Sequence, residues 1–316
     1  MNQDTAWLAG ATLLGATIGS YLNVVIYRLP LDPGQPLGRR SVCPACKVPI
    51  PWYWNVPILS WLLLRGKARC CGAKISLRYP LVEAITAVLF ALLWLHPPSG
   101  MQVQAAAFAW APLLAFAFHG FFVANVVANT FIDIDHRILP DVLTISCMVV
   151  GVIGALLVPG LAGSFPLEMS PAANSLMFSL CGLATGAGIT WAVRAVGTIA
   201  FRKEAMGLGD VKFMGAIGAF VGWDGALLTL LLGSVLGAVF GTVHRLRSGD
   251  SLICFGPFLA GGALLALFAR KELLEFFTVT LPTLQQTRPW LSWLMLVVAA
   301  SSLVVLFILI RRGRRT

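Results

Sequence analysis

Long apolar runs broken by short polar stretches dominate the chain. Runs able to cross a bilayer as helix lie near residues 6–27, 81–97, 105–132, 142–160, 173–193, 211–223, 226–243, 252–269 and 290–310. The run at 211–223 amounts to only about 20 Å of helix, so it must be tilted, re-entrant or continued by its neighbours. One stretch breaks the pattern. From about Leu29 to Pro80 apolar periodicity fails while charge, proline and tryptophan rise together. The expected fold is all-α, a polytopic helical membrane protein of about eight to nine transmembrane helices. The expected division is a first transmembrane helix over 1–28, a small cysteine-containing domain over 29–80 and a membrane core over 81–270. A C-terminal extension over 271–316 would carry a ninth span and a basic tail.

Composition agrees: 58% of residues are hydrophobic, 11% charged, and mean hydropathy is +0.84. That is more apolar surface than one water-soluble core can bury. The net charge of +10 raises the question of nucleic acid, but no base-reading motif accompanies it. Basic residues serve here to orient the spans. Threading nine spans alternately puts 20 of the 23 lysines and arginines on one side and leaves Arg270, Lys271 and Arg288 on the other. The rich side is cytoplasmic and the N-terminus is outside. The first run lacks a basic n-region and a small-residue cleavage site, so it reads as a retained span.

Acidic residues are scarce, and two stand where an apolar run meets a polar loop: Asp133 in Phe131-Ile132-Asp133-Ile134-Asp135-His136, and Asp210 closing Gly207-Leu208-Gly209-Asp210. A carboxylate at membrane depth costs several kcal/mol or so, which makes each a functional candidate. Together they suggest an acid and a base. In the polar stretch, Cys43-Pro44-Ala45-Cys46 is followed after a gap by Cys70-Cys71-Gly72. Four thiols in a segment too short to bury much core point to a structural zinc. The second half is irregular, because Ala68 stands three before Cys71 and Cys70 stands beside it. Free thiols in a metal-less fold are the alternative, since disulfides do not suit a reducing compartment. Cys147, Cys181 and Cys254 read as small packing residues.

Four segments in order carry a resemblance. They are Gly19-Ser-Tyr-Leu-Asn-Val-Val-Ile-Tyr-Arg-Leu-Pro30, the cysteine stretch with Leu59-Ser60-Trp61 and Arg78-Tyr79-Pro80-Leu81-Val82-Glu83, Asp133 to Asp141 ending Leu-Pro-Asp, and Gly207 to Lys212. The chain resembles the type IV prepilin peptidase family. The resemblance implies an aspartic endopeptidase of the bacterial inner membrane, cutting the leaders of type IV prepilins and type II secretion pseudopilins after a glycine at the cytoplasmic face. It also implies N-methylation of the new terminus by S-adenosylmethionine. The family's catalytic pair falls on Asp133 and Asp210. Its paired CxxC motifs match Cys43, Cys46 and Cys71, with Ala68 departing from the pattern and Cys70 as the replacement.

Peptide hydrolysis by two carboxylates needs one ionised, to take a proton from water, and one protonated, to polarise the carbonyl and assist the leaving amine. Two such groups a few Å apart share a proton and titrate as a pair. Gly207 and Gly209 are expected to take positive φ, unwinding the entry to the next helix and admitting a substrate strand. An ordinary interhelical turn is the plainer reading. Lys212 reads as a contact to lipid phosphate, with a substrate carbonyl as alternative. Asp141, after Pro140, reads as an N-cap, and His136 as a solvated loop residue. Asp135 is a rival partner for Asp210, on a different helix face from Asp133. Glu83 opens a span, either at a helix N-terminus or as a polar contact within the bundle or with the methyl donor. Asn23 and Arg28 line the substrate path, or Asn23 packs helices together.

A proton-coupled transporter with intramembrane aspartates would also fit many spans and a short broken helix. It gives no reason for the cysteine stretch. A peptidase without the methyltransferase, and an assembly component that binds only zinc and partner helices, are further alternatives.

Overall fold

The computed structural model describes residues 3–30, 41–43, 45–98, 110–202, 204, 206–248, 254–288, 290, 292 and 293. The expected ninth span, apart from its first residues, and the basic tail lie outside them. Helices follow in the order α1 (Gln3–Arg28), α2 (Leu59–Leu63), α3 (Arg78–Leu95), α4 (Ala111–His136), α5 (Asp141–Leu157), α6 (Pro171–Phe201), α7 (Leu208–Ser248) and α8 (Gly256–Phe268). Shorter turns, α9 (Arg270–Glu275) and α10 (Leu281–Thr287), come next. Among the described residues no β-strand forms, and α1, α3, α4, α6 and α7 are long and apolar enough to cross a membrane.

The doubtful run at 211–223 is continued by its neighbour. It and the run at 226–243 are two limbs of α7, which bends at Gly222. There the backbone takes φ 75° and ψ −178°, and a Cβ would stand 1.9 Å from the Phe178 ring. Only glycine suits that bend. Next to it, Arg270 forms a partly buried ion pair with Asp224 at 2.6 Å and donates to the Ala162 carbonyl at 2.6 Å. Gly209 at the start of α7 abuts Leu139, whereas Gly237 on the second limb abuts Phe255 beside the start of α8. Both limbs therefore reach the same end of the bundle, and the bend marks the opposite end. With α7 counted as two limbs, apolar helices stand at eight of the nine expected runs.

Small residues let the helices approach closely, as membrane packing requires where no hydrophobic drive separates lipid from side chain. A Cβ on Gly182 of α6 would stand 2.1 Å from the Gly218 carbonyl of α7, and one on Gly19 of α1 would stand 2.7 Å from Glu83 Cα of α3. Buried polar groups also tie helices together. Ser179 donates to the Ala219 carbonyl at 2.7 Å, and Asn125 to the Leu143 carbonyl at 3.0 Å. The central core joins Phe90, Phe122, Phe213, Ile217, Phe220 and Leu259, with the Phe122 and Phe220 rings stacked at 4.7 Å. Ile145, Val149, Ile153 and Leu156 form an exposed apolar stripe along α5, as a lipid-facing helix requires.

Two boundaries differ from expectation. Helix α4 continues to His136, past the end of the apolar run at 132, so Asp133 and Asp135 both lie in its last turns. Helix α3 begins at Arg78, which puts Glu83 in its second turn and not at its start.

Candidate active site

Asp133 and Asp210 come from different helices to one end of the bundle. Asp133 is 7% exposed, and its Oδ2 accepts the Gly256 N–H from the start of α8 at 3.0 Å. A Cβ on Gly256 would lie 2.6 Å from that oxygen, so glycine is what allows the contact. Arg137, left-handed at φ 56°, ends α4 one turn later. Asp210 sits in the first turn of α7, where its carboxylate takes the Gly207 N–H and lies within electrostatic reach of Asp133. A negative charge at a helix N-terminus is favoured by the exposed N–H groups of the first turn. Neither Gly207 nor Gly209 has positive φ. The expectation of an unwound entry is therefore corrected: Gly209 is already helical, and what its missing Cβ provides is room for Leu139, which an added Cβ would meet at 3.0 Å.

Neighbouring acids are engaged elsewhere. Asp135 pairs with Arg78, whose guanidinium also lies 5.9 Å from the Phe131 ring centroid, so Asp135 is not the partner of Asp210. Lys212 does not wait for lipid or substrate. Its Nζ bonds both oxygens of Asp141 at 2.7 and 2.8 Å. Asp141 is thus no N-cap: Pro140 holds that position and Asp141 is the first helical residue of α5. His136 is the exposed last residue of α4. Sequence reading missed Gly256, whose only signal was a Gly-Pro pair opening an apolar run. It also took Cys254 for packing, whereas that thiol interacts with Asp133 and hydrogen-bonds Arg137.

Asn23, Arg28 and Glu83 gather at the same end, around a cavity of about 410 Å³ between α1, α3 and the cysteine segment. Asn23 donates to the Tyr79 carbonyl at 3.0 Å. Glu83 is buried, and its Oε2 accepts the Ile58 N–H at 2.7 Å. Trp61 and Tyr79, with Tyr27 and Trp54, form the aromatic part of the wall.

The four cysteines converge, their Sγ atoms all within 4.8 Å of one another. Cys43 lies 3.7 Å from Cys71, Cys46 3.2 Å from Cys70, and Cys70 3.9 Å from Cys71. Thiolates about 2.3 Å from a tetrahedral zinc stand about 3.8 Å apart, so the set fits that ion. Two turns of like pattern build it. In the first, Cys43 N–H bonds the Val48 carbonyl and Lys47 N–H the Cys43 carbonyl, with Lys47 at φ 59°. In the second, Ala68 N–H bonds the Ala73 carbonyl and Gly72 N–H the Ala68 carbonyl, with Gly72 at φ 70°. Ala68 therefore occupies the place of Cys43, and Cys70 reaches over from the turn to supply the fourth sulfur. Backbone hydrogen bonding at Cys46 and then Ala45 holds the Cys43 thiol down at about 6, whereas contact with the Cys46 thiol pushes Cys70 up to about 12.

Fold and site together define a polytopic helical membrane protein with two aspartates, carried by separate helices, within electrostatic reach of each other at one end of its bundle. Residues 13–97 match the Bacterial Peptidase A24 N-terminal domain, and residues 120–242 match the Type IV leader peptidase family. A prepilin leader peptidase/N-methyltransferase of Aeromonas salmonicida (strain A449) is 34% identical over 296 residues, covering 85% of this chain and 93% of its own length. One of Stutzerimonas stutzeri is 36% identical over 83% and 90% of the two chains, and one of Myxococcus xanthus (strain DK1622) 39% identical over 75% and 63%. No solved structure matches. The chain belongs to the type IV leader peptidase family, as its four sequence segments implied.

Proposed function

We propose that this protein is an aspartic endopeptidase of the bacterial inner membrane that removes the leader of type IV prepilins or type II secretion pseudopilins. The cut falls after a glycine at the cytoplasmic face, where the arginines and lysines concentrate. The observation that carries this reading is the meeting of Asp133 and Asp210 from separate helices at one end of the bundle. The ionised member takes a proton from water, which attacks the scissile carbonyl. The protonated member polarises that carbonyl, and the leaving amine departs with a proton from the pair. The Gly256 N–H holds Asp133 in position, and an apolar pilin helix reaches the site sideways from lipid while its leader stays in water. Names of the relatives, prepilin leader peptidase/N-methyltransferase, support both substrate and reaction.

Cys43, Cys46, Cys70 and Cys71 would hold a structural zinc, which pins a segment with little core of its own. Asn23, Arg28 and Glu83, with Trp61 and Tyr79, would take S-adenosylmethionine in the cavity between α1 and α3, whose volume suits a ligand of that size. When bound, that cofactor supplies the methyl group for the new N-terminus. Glu83 offers an anion to its sulfonium, and the aromatic walls offer faces to its adenine.

Asp133→Asn and Asp210→Asn are each expected to stop leader removal, read as pilin length on a gel, while the protein inserts at normal levels. Full-length processing by either variant would sink the peptidase reading. Glu83→Gln is expected to weaken binding of labelled S-adenosylmethionine to the purified protein; unchanged binding would move the methyl-donor site elsewhere.

A further inference from the structure

The short helix α2 poses a question that neither the aspartate pair nor the thiol cluster answers. It presents Leu59, Leu62 and Leu63 on one face, exposed at 57%, 56% and 74%, in a segment otherwise rich in charge. Its depth is fixed by a contact to the bundle. The Ile58 N–H, immediately before α2, bonds Glu83, which lies five residues inside α3 from Arg78, about 7.5 Å along the helix. Glu83 in turn lies beside Gly19, nine residues or about 13.5 Å inside α1 from Arg28. Arg28, Arg78 and Asp135 mark the polar end of those helices. The start of α2 therefore lies on the membrane side of that level. Ile58 takes φ 61° and ψ −51°, a strained conformation for a β-branched residue, in a tight turn closed by the Leu59 N–H on the Pro57 carbonyl at 2.6 Å.

We propose that α2 is an interfacial membrane anchor, with its three leucines inserted among the acyl chains of the leaflet next to the bundle. Charge agrees. Arg65 and Lys67 follow the leucines at once and are exposed, as a helix seated at an anionic headgroup layer requires. The cysteine segment would then ride on the bilayer and not float in water, and Trp61, on the inward side of α2, would form a wall of the 410 Å³ cavity fixed by lipid on one side and by Glu83 on the other. This inference concerns the placement of α2 and holds whether or not Asp133 and Asp210 are the catalytic pair.

The test uses the full chain in vesicles containing phosphatidylglycerol, with a nitroxide amino acid in place of Leu63 and, in a second sample, in place of Lys67. Both positions are exposed, so neither label disturbs packing. Power saturation is expected to give Leu63 greater accessibility to oxygen than to a water-soluble nickel chelate, and Lys67 the reverse. Greater nickel accessibility at Leu63 would place α2 in water and overturn the proposal. Low accessibility to both reagents would show a protein covering the face, a second copy or a bound partner, and would overturn it too.

Discussion

The two clusters of reactive side chains are built by opposite means. The aspartates are carried by long helices whose positions are set by the bundle core, so each carboxylate needs only one backbone N–H to be placed. The thiols are carried by tight turns with hardly any buried apolar surface around them, and of the four only Cys43 is buried. A helix-borne site persists empty, whereas a turn-borne one depends on what it binds. The aspartate site should therefore fail through small local errors of geometry, and the thiol site through loss of its ion.

The sharpest break in that contrast is Gly256→Ala. Its new methyl would stand only 2.6 Å from Asp133 Oδ2 and push that carboxylate aside, so leader removal should drop by about a hundredfold, as expected for misplacement near 1 Å. The bundle's melting temperature should stay nearly unchanged; normal cleavage would show that Asp133 does not need this contact. Cys43→Ser should act the other way. Zinc content should fall and protease cutting within residues 45–77 rise by more than about tenfold, since metal binding in such segments is folding energy, while the rate of the chemical step on intact protein is kept. Unchanged metal content would reject the zinc reading. Lys212→Ala removes a half-exposed ion pair worth under about 1 kcal/mol and should shift both cleavage and melting little. A loss comparable to that of Gly256→Ala would give Lys212 a direct part in the reaction.

The smallest effect is on pH. In the metal-free protein the Cys43 thiol, held down at about 6 by backbone hydrogen bonds at Cys46 and Ala45, favours folding through its thiolate. That contribution is present above the ordinary thiol range near 9 and is lost as pH falls through about 6. Cys70, pushed up to about 12, acts only above that window. Protease resistance of the chelated protein should therefore decline from pH 9 to 6; a flat profile would contradict a preformed thiolate.

Much of this was legible in the chain. Eight apolar runs marked seven helices, two of them limbs of α7, and scarcity of acid singled out Asp133 and Asp210 as candidates, because burial of charge is too costly to be incidental. What escaped were pairings across long separations. Lys212 was misread because Asp141 is 71 residues away, and Gly256 was unseen because Asp133 is 123 residues away. Gly207 and Gly209 were read for a positive φ that neither takes: composition shows a missing Cβ but not whether conformation or proximity demands it. The irregular cysteines looked awkward in one dimension, and only the two matching turns show why Cys70 can substitute for a thiol at Ala68.

The reversal at Gly222 sets a rule about length. Asp210 stands twelve residues before the bend, on a straight limb whose far end is clamped by Asp224 and Arg270. Inserting or deleting one residue between them would swing the carboxylate by about 100° around the helix axis and slide it about 1.5 Å. Buried on every side from Phe213 to Gly222, that limb behaves as a ruler whose number of divisions cannot change.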